Sequence, residues 1–213
     1  MKRIAWFNIA IHLMGLACAA VIFPRGATFT PLPERMAYLA PRPWEWVAGW
    51  AVWIGCALLM VRFTWAVNRR FQSHSFLAGG AFFVSLWAAG FDITADLRFI
   101  LVLPDAAASL ADPETTFREA ERRTTFISLC IANTLYAIST LMMSLGLRRQ
   151  FKLLPSTMPV ALGVFVFGLM LSTAGLTQNP WHAAVFTAPT IGCYCVWVYL
   201  VAKAFDQLES KRE

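Results

Sequence analysis

Charge is scarce in this sequence. Asp, Glu, Lys and Arg make up only 14% of its 213 residues, where a soluble domain carries about a quarter. So few charges cannot coat a globule, which excludes a water-soluble enzyme. Disorder is excluded as well, because 58% of the chain is hydrophobic and 14% aromatic, far too apolar to stay solvated as a coil. Lysine is absent from the middle of every long apolar run, so no retinal Schiff base is expected. C-x-x-C, H-E-x-x-H, G-x-S-x-G and Walker-type loops are all absent, leaving no recognisable catalytic motif. The five cysteines fall inside apolar segments rather than in loops, where they read as small packing residues and not as disulfide partners.

What is there is length without charge. Apolar runs occupy about residues 4–23, 46–67, 76–103, 124–147, 159–176 and 183–205. Each comes close to the roughly 20 residues that carry a helix across a bilayer core. No run alternates polar and apolar residues, as a transmembrane strand with a wet lumen would. The expectation is an all-α, polytopic membrane helix bundle, a single domain over 1–213 with about six transmembrane helices. Its first partner is the lipid bilayer, with further protein partners within the membrane. Nucleic acid is not expected despite a net charge of +6, because the basic residues form short clusters at the ends of apolar runs.

Local punctuation agrees with helices. Asp112-Pro113 and Asn179-Pro180 each place a capping residue before a proline at the first helical position. Pro104 is expected to stop the third run, and residues 34–39 to form a short interfacial helix. The first run resembles a secretory signal, with Lys2-Arg3 before it and Ala17-Cys18-Ala19 near its end. Its apolar stretch of about 20 residues exceeds a usual signal core, so it counts as a transmembrane helix.

Charge asymmetry sets the expected direction. With the N-terminus cytoplasmic, the inner segments hold ten basic residues, Lys2, Arg3, Arg69, Arg70, Arg148, Arg149, Lys152, Lys203, Lys211 and Arg212, and three acids, Asp206, Glu209 and Glu213. The outer loops then hold six basic residues and seven acids. Both termini are therefore expected in the cytoplasm of a bacterial-type inner membrane.

Polar residues inside the runs are the candidates for function. Asp92 and Asp96 are four apart and share one helical face. An acid at membrane depth is costly and often functional, although an inter-helix salt bridge is the first reading. Asp92 is expected to face the bundle, with Tyr136, Arg122 or His182 as partner, while Phe83, Trp87, Phe91 and Leu97 face lipid. Asn133, Tyr136, Thr140 and Ser144 lie on one arc of the fourth run, as inter-helix glue or as the wall of a polar cavity. Gly168 and Ser172 are placed for close packing in the fifth run, and Pro189 for a kink in the sixth. Asp92, Asp96, Arg122, Asn133, Tyr136 and His182 are the candidate binding residues.

No cofactor is expected. His12 falls mid-run, His74 in a cytoplasmic segment and His182 at the outer mouth of the sixth run. His12 and His182 differ in depth and cannot share a haem. His182 with Asp92, Asp96 or Glu119 lacks the spacing of a metal motif, so no metal is expected either. The first reading of function is an accessory or interaction subunit of a membrane assembly; the alternatives are a small-solute or proton-coupled transporter with a polar site between the third, fourth and sixth spans, and a membrane enzyme acting on a lipid-soluble substrate.

The orientation makes a direct prediction. An impermeant thiol reagent added outside the cell should label a cysteine placed at Ser109 and miss one placed at Ser73. The reverse pattern would invert the topology.

Overall fold

A computed structural model of the chain describes residues 1–26, 29–70, 76–151 and 157–209. Ser73, Lys152, Lys211, Arg212 and Glu213, which entered the topology argument, and His74 lie outside the described residues. The described residues are almost entirely helical, without strands: α1 (Lys2–Val21), α2 (Leu32–Leu39), α3 (Trp44–Asn68), α4 (Phe76–Ala107), α5 (Pro113–Thr125), a π-helical segment (Phe126–Ala132), α6 (Asn133–Phe151), α7 (Thr157–Thr177) and α8 (Pro180–Glu209). Six stretches are long and apolar enough to cross a membrane: α1, α3, α4, the continuous α5-to-α6 helix, α7 and α8.

The caps form where expected. The Asp112 side chain accepts from the Thr115 amide at 3.4 Å. Asn179 Oδ1 accepts from the Trp181 and His182 amides at 3.0 and 3.3 Å. These bonds satisfy amides that the first turn of a helix leaves without partners. The short helix expected at 34–39 is α2.

Two boundaries need correction. Pro104 does not stop the third span, because α4 runs on to Ala107. A proline removes one amide donor but already has helical φ, and its carbonyl still accepts from the Ala108 amide at 3.1 Å. The fourth span does not begin at Thr124 either. The helix starts at Pro113 and passes without a break through the π-helical segment into α6.

The spans form a closed ring in chain order. α1 packs on α3, α3 on α4, α4 on α6, α6 on α7, α7 on α8, and α8 returns to α1. The α1–α8 seam is held by Lys2 with Asp206 at 3.4 Å and by the rings of Trp6 with Tyr199 and His12 with Tyr194. Both ends of the chain therefore lie at one end of the bundle, called here the terminal end. Large buried side chains fill the axis there, among them Phe63, Met143, Leu147, Trp197, Val201 and Phe205. At the opposite end a second cluster, with Leu39, Trp46, Phe99, Leu103 and Phe117, joins α2 and α5 to α3 and α4. Within this cap the buried Arg35 pairs with the partly buried Glu121.

α7 lies close against the π-helical segment. A Cβ on Gly175 would stand 2.8 Å from the Cys130 backbone nitrogen, a contact that only a backbone shift can relieve. The Gly168/Ser172 face also packs as expected, with Thr134 Oγ1 donating to Ser172 Oγ at 2.9 Å. Gly175→Ala should therefore cost about 1–3 kcal/mol by overpacking. Gly79, with nothing within 4 Å of its would-be Cβ, should accept alanine with unchanged or higher thermal stability. Equal melting temperatures for the two variants would contradict this packing.

Candidate functional site

Between the two apolar clusters the ring encloses a cavity of about 510 Å³, within the range of small-molecule sites. α1, α3, α4, α6, α7, α8 and the π-helical segment all contribute to its wall. The floor is closed on the terminal side by Tyr194 and Tyr136, with Phe63 and Trp197 buried behind them. The other end reaches Gly26, Phe29, Gln178 and Asn179 at the mouth. Ala20, Ala184 and Ala188 line the cavity and are exposed, so α1 and α8 do not close over it along that stretch.

α4 supplies two carboxylates one turn apart, Asp92 and Asp96, both on the wall. Asp92 keeps part of its surface open, and its Oδ1 accepts from Ser128 Oγ at 3.3 Å. Ser128 belongs to the π-helical segment, whose wider turn alters the register of the side chains that follow. Asp96 is only 1% exposed, and its Oδ2 has no hydrogen-bond partner. Tyr136 stands beside Asp92. Its hydroxyl is buried and makes no hydrogen bond among the described residues.

On the floor, His12 Nδ1 lies 2.8 Å from the Asn8 carbonyl oxygen. A carbonyl only accepts, so Nδ1 carries the hydrogen and Nε2 of the neutral ring is the acceptor. The Asn8 amide group donates in turn to the Leu59 carbonyl at 2.8 Å, tying α1 to α3.

One side of the cavity is aromatic. Trp50 stacks on Phe99 with centroids 3.9 Å apart and on Phe23 at 4.3 Å. Trp46 holds the stack in register by donating from Nε1 to the Phe99 carbonyl at 2.9 Å. The Trp50 and Trp53 indole nitrogens are buried without partners. Among the described residues, no Lys or Arg lines the cavity. Glu121, the third acid on the wall, is already paired with Arg35.

Four of the six candidate residues therefore meet at one cavity: Asp92, Asp96, Asn133 and Tyr136. The other two stand apart. Arg122 is exposed on α5, and His182 is exposed at the start of α8 with its ring near Phe186; neither lines the cavity. Asp92 does face the bundle; of its three expected partners the structure brings Tyr136 beside it but not Arg122 or His182, and the hydrogen bond it accepts comes from Ser128. Phe83, Trp87 and Leu97 are exposed as expected for that helix, whereas Phe91 is half-buried against the core. His12, Ser128, Tyr194 and the tryptophans of α3 are additions to the site. Asn8 and His12, four apart in an apolar run, carry the one signal in sequence for the floor. No three His, Cys, Asp or Glu side chains among the described residues are grouped to hold a metal ion. No family model, curated protein or solved structure matches the chain.

The cavity predicts a pattern of water access. In a cysteine-free background, a small hydrophilic thiol reagent should modify Thr187→Cys, which faces the cavity. It should leave Leu58→Cys unmodified, because Leu58 is exposed on α3 away from the cavity. Protection of both positions would mean that water does not enter.

Proposed function

We propose that this chain is a solute-binding membrane protein of the transporter kind, which takes a small amphipathic molecule into the cavity at the centre of its helix ring. The observation that carries this reading is a 510 Å³ space closed at one end, with a buried, unpartnered carboxylate on its wall. A bundle that serves only as a docking subunit gains nothing from an unfilled axis, and a buried polar atom without a partner is costly. Both features make sense when a ligand supplies the missing contacts. The wall draws on every span, so the site is wider than a pocket between the third, fourth and sixth spans. The membrane-enzyme reading has less support, since among the described residues no cluster able to hold a metal accompanies the carboxylates.

In our reading the basic clusters in the sequence favour a cytoplasmic terminal end, with the mouth on the outer side of a cell membrane. In this orientation the cavity is open outward and closed inward, one of the two states that alternating access requires.

Thermal unfolding of the detergent-purified protein against cationic, neutral and anionic amphipathic solutes tests the reading. At least one class should raise the melting temperature saturably by several degrees, since a ligand at 100 times its Kd adds about 2.7 kcal/mol. Thr187→Trp, which fills the wall, should abolish the shift. No shift with any class, together with a protein that co-purifies in fixed ratio, would overturn it in favour of an accessory subunit.

A further inference from the structure

We propose that the ligand is a lipophilic organic cation, an ammonium or similar group on an apolar body, with its charge at Asp92 and Asp96 and its body against the aromatic wall. This deepens the solute-binding reading and rests on it.

The argument begins with charge. Carboxylates inside an apolar bundle are normally paired with a cation or fully hydrogen-bonded. Asp92 has one weak acceptor contact to Ser128, at 3.3 Å. Asp96 is 1% exposed and its Oδ2 has no partner. The described residues place no lysine or arginine on the cavity wall, so the protein does not neutralise this pair from within. A ligand with a positive group can take the place of a proton shared by the acid pair, in a low-dielectric site where Coulomb attraction is strongest. An anion of the same shape meets repulsion at the same place.

Tyr136 is an independent indication. It is 8% exposed and faces the cavity, with its hydroxyl turned to Asp92 without closing a well-formed hydrogen bond to it. A hydroxyl there can donate to a carboxylate, or accept from an ammonium that has displaced water. The adjoining wall, which begins at Phe99 one turn beyond Asp96 on α4, suits the same ligand class. Aromatic faces attract cations, and the stacked Phe23, Trp50 and Phe99 present apolar bulk to the rest of the molecule. The gap at Ala20, Ala184 and Ala188 gives a lipid-soluble molecule a sideways route from the bilayer.

A quinone is the rival ligand, because Tyr136 and Tyr194 could donate to its carbonyls. It leaves the two carboxylates unpaired, so the observations favour the cation.

Three probes separate these cases: tetraphenylphosphonium, tetraphenylborate of the same shape and opposite charge, and a neutral short-chain alkyl benzoquinone. Each is measured by equilibrium dialysis with the full chain in a maltoside detergent. Tetraphenylphosphonium should bind saturably, at least tenfold more tightly than tetraphenylborate. Asp92→Asn and Asp96→Asn should each weaken it tenfold or more at an unchanged melting temperature, whereas Asp92→Glu should retain binding. Should an Asn variant fail to fold, Trp50→Leu serves instead and should weaken the cation more than the quinone. Tighter binding of the borate or the quinone would overturn the cation assignment and leave the solute-binding reading standing. Failure of all three, with no stabilisation by any solute class, would remove both.

Discussion

Closure of the ring is the constraint on which the rest of the molecule depends. Neighbouring helices pack about 9 Å apart, so six in a ring keep each axis about 9 Å from the centre. Each helix fills about 5 Å of that distance with its own side chains. A channel nearly as wide as another helix is left along the axis. Residue size decides whether it fills. In the terminal half, Phe63 meets Trp197 edge-on at 5.7 Å, and Leu147, Val198 and Val201 complete the plug. In the other half, the inward positions of α7 and α8 include Gly168, Ala174, Ala183 and Thr187, too small to meet across the axis. The cavity is thus a consequence of a size gradient along the helices, and the α1–α8 seam keeps it from collapsing into a flatter bundle.

The polar residues divide along the same gradient. In the filled half they serve the bundle. Trp197 Nε1 donates to Ser144 Oγ at 2.7 Å, Ser144 Oγ to the Thr140 carbonyl at 2.9 Å, and Thr140 Oγ1 to the Tyr136 carbonyl at 3.0 Å. Ser139 reaches across to the Ala81 carbonyl on α4 at 2.7 Å. Every donor in this chain is used, as inter-helix packing in an apolar medium requires. Above Tyr136 the bookkeeping stops closing: the hydroxyls of Tyr136 and Tyr194, Asp96 Oδ2 and two indole nitrogens are all left over. Other unpartnered atoms lie elsewhere among the described residues, on Asn8, Arg35, Tyr38 and Asp206, but five of the nine belong to side chains that line this one cavity, a concentration that calls for an explanation.

Much of this was legible in the sequence, and the failures have physical causes. The spans and caps follow from apolar length and from Asp112-Pro113 and Asn179-Pro180, because these are local effects. The arc Asn133–Tyr136–Thr140–Ser144 was visible as a stripe. Its division into glue and cavity wall was not, since that depends on the size of Trp197 opposite Ser144 and of the small residues opposite Asn133. Pro104 misled because a proline in the last turn of a helix forfeits a single hydrogen bond. Ser128 could not be assigned to Asp92, because the π-helical segment shifts the register by an amount no regular period contains. Arg122 and His182 were drawn in by sequence proximity to the mouth, yet both point outward, where exposed charge is solvated at little cost.

The cap explains why the deeper carboxylates stay unmatched. Arg35 is the cation nearest in character to what Asp92 and Asp96 lack, but it is committed. It pairs with Glu121, and its guanidinium lies over the Phe117 ring at 5.5 Å from the centroid. Arg35 is buried and Glu121 largely so, and separating them would leave the Arg35 charge in the cap without its counter-ion. Arg42 is likewise engaged, with Asp105. Arg98, six residues beyond Asp92 and two beyond Asp96 and hence on another face of α4, donates to Thr124 Oγ1 at 3.2 Å. Arg35, Arg42 and Arg98 are thus each held by a partner of their own, and among the described residues no arginine or lysine lines the cavity beside the two aspartates. Negative potential in a low-dielectric pocket with apolar walls is focused and little screened by salt. The same arrangement that costs the empty protein stability is the one that discriminates most strongly among ligands by the sign of their charge.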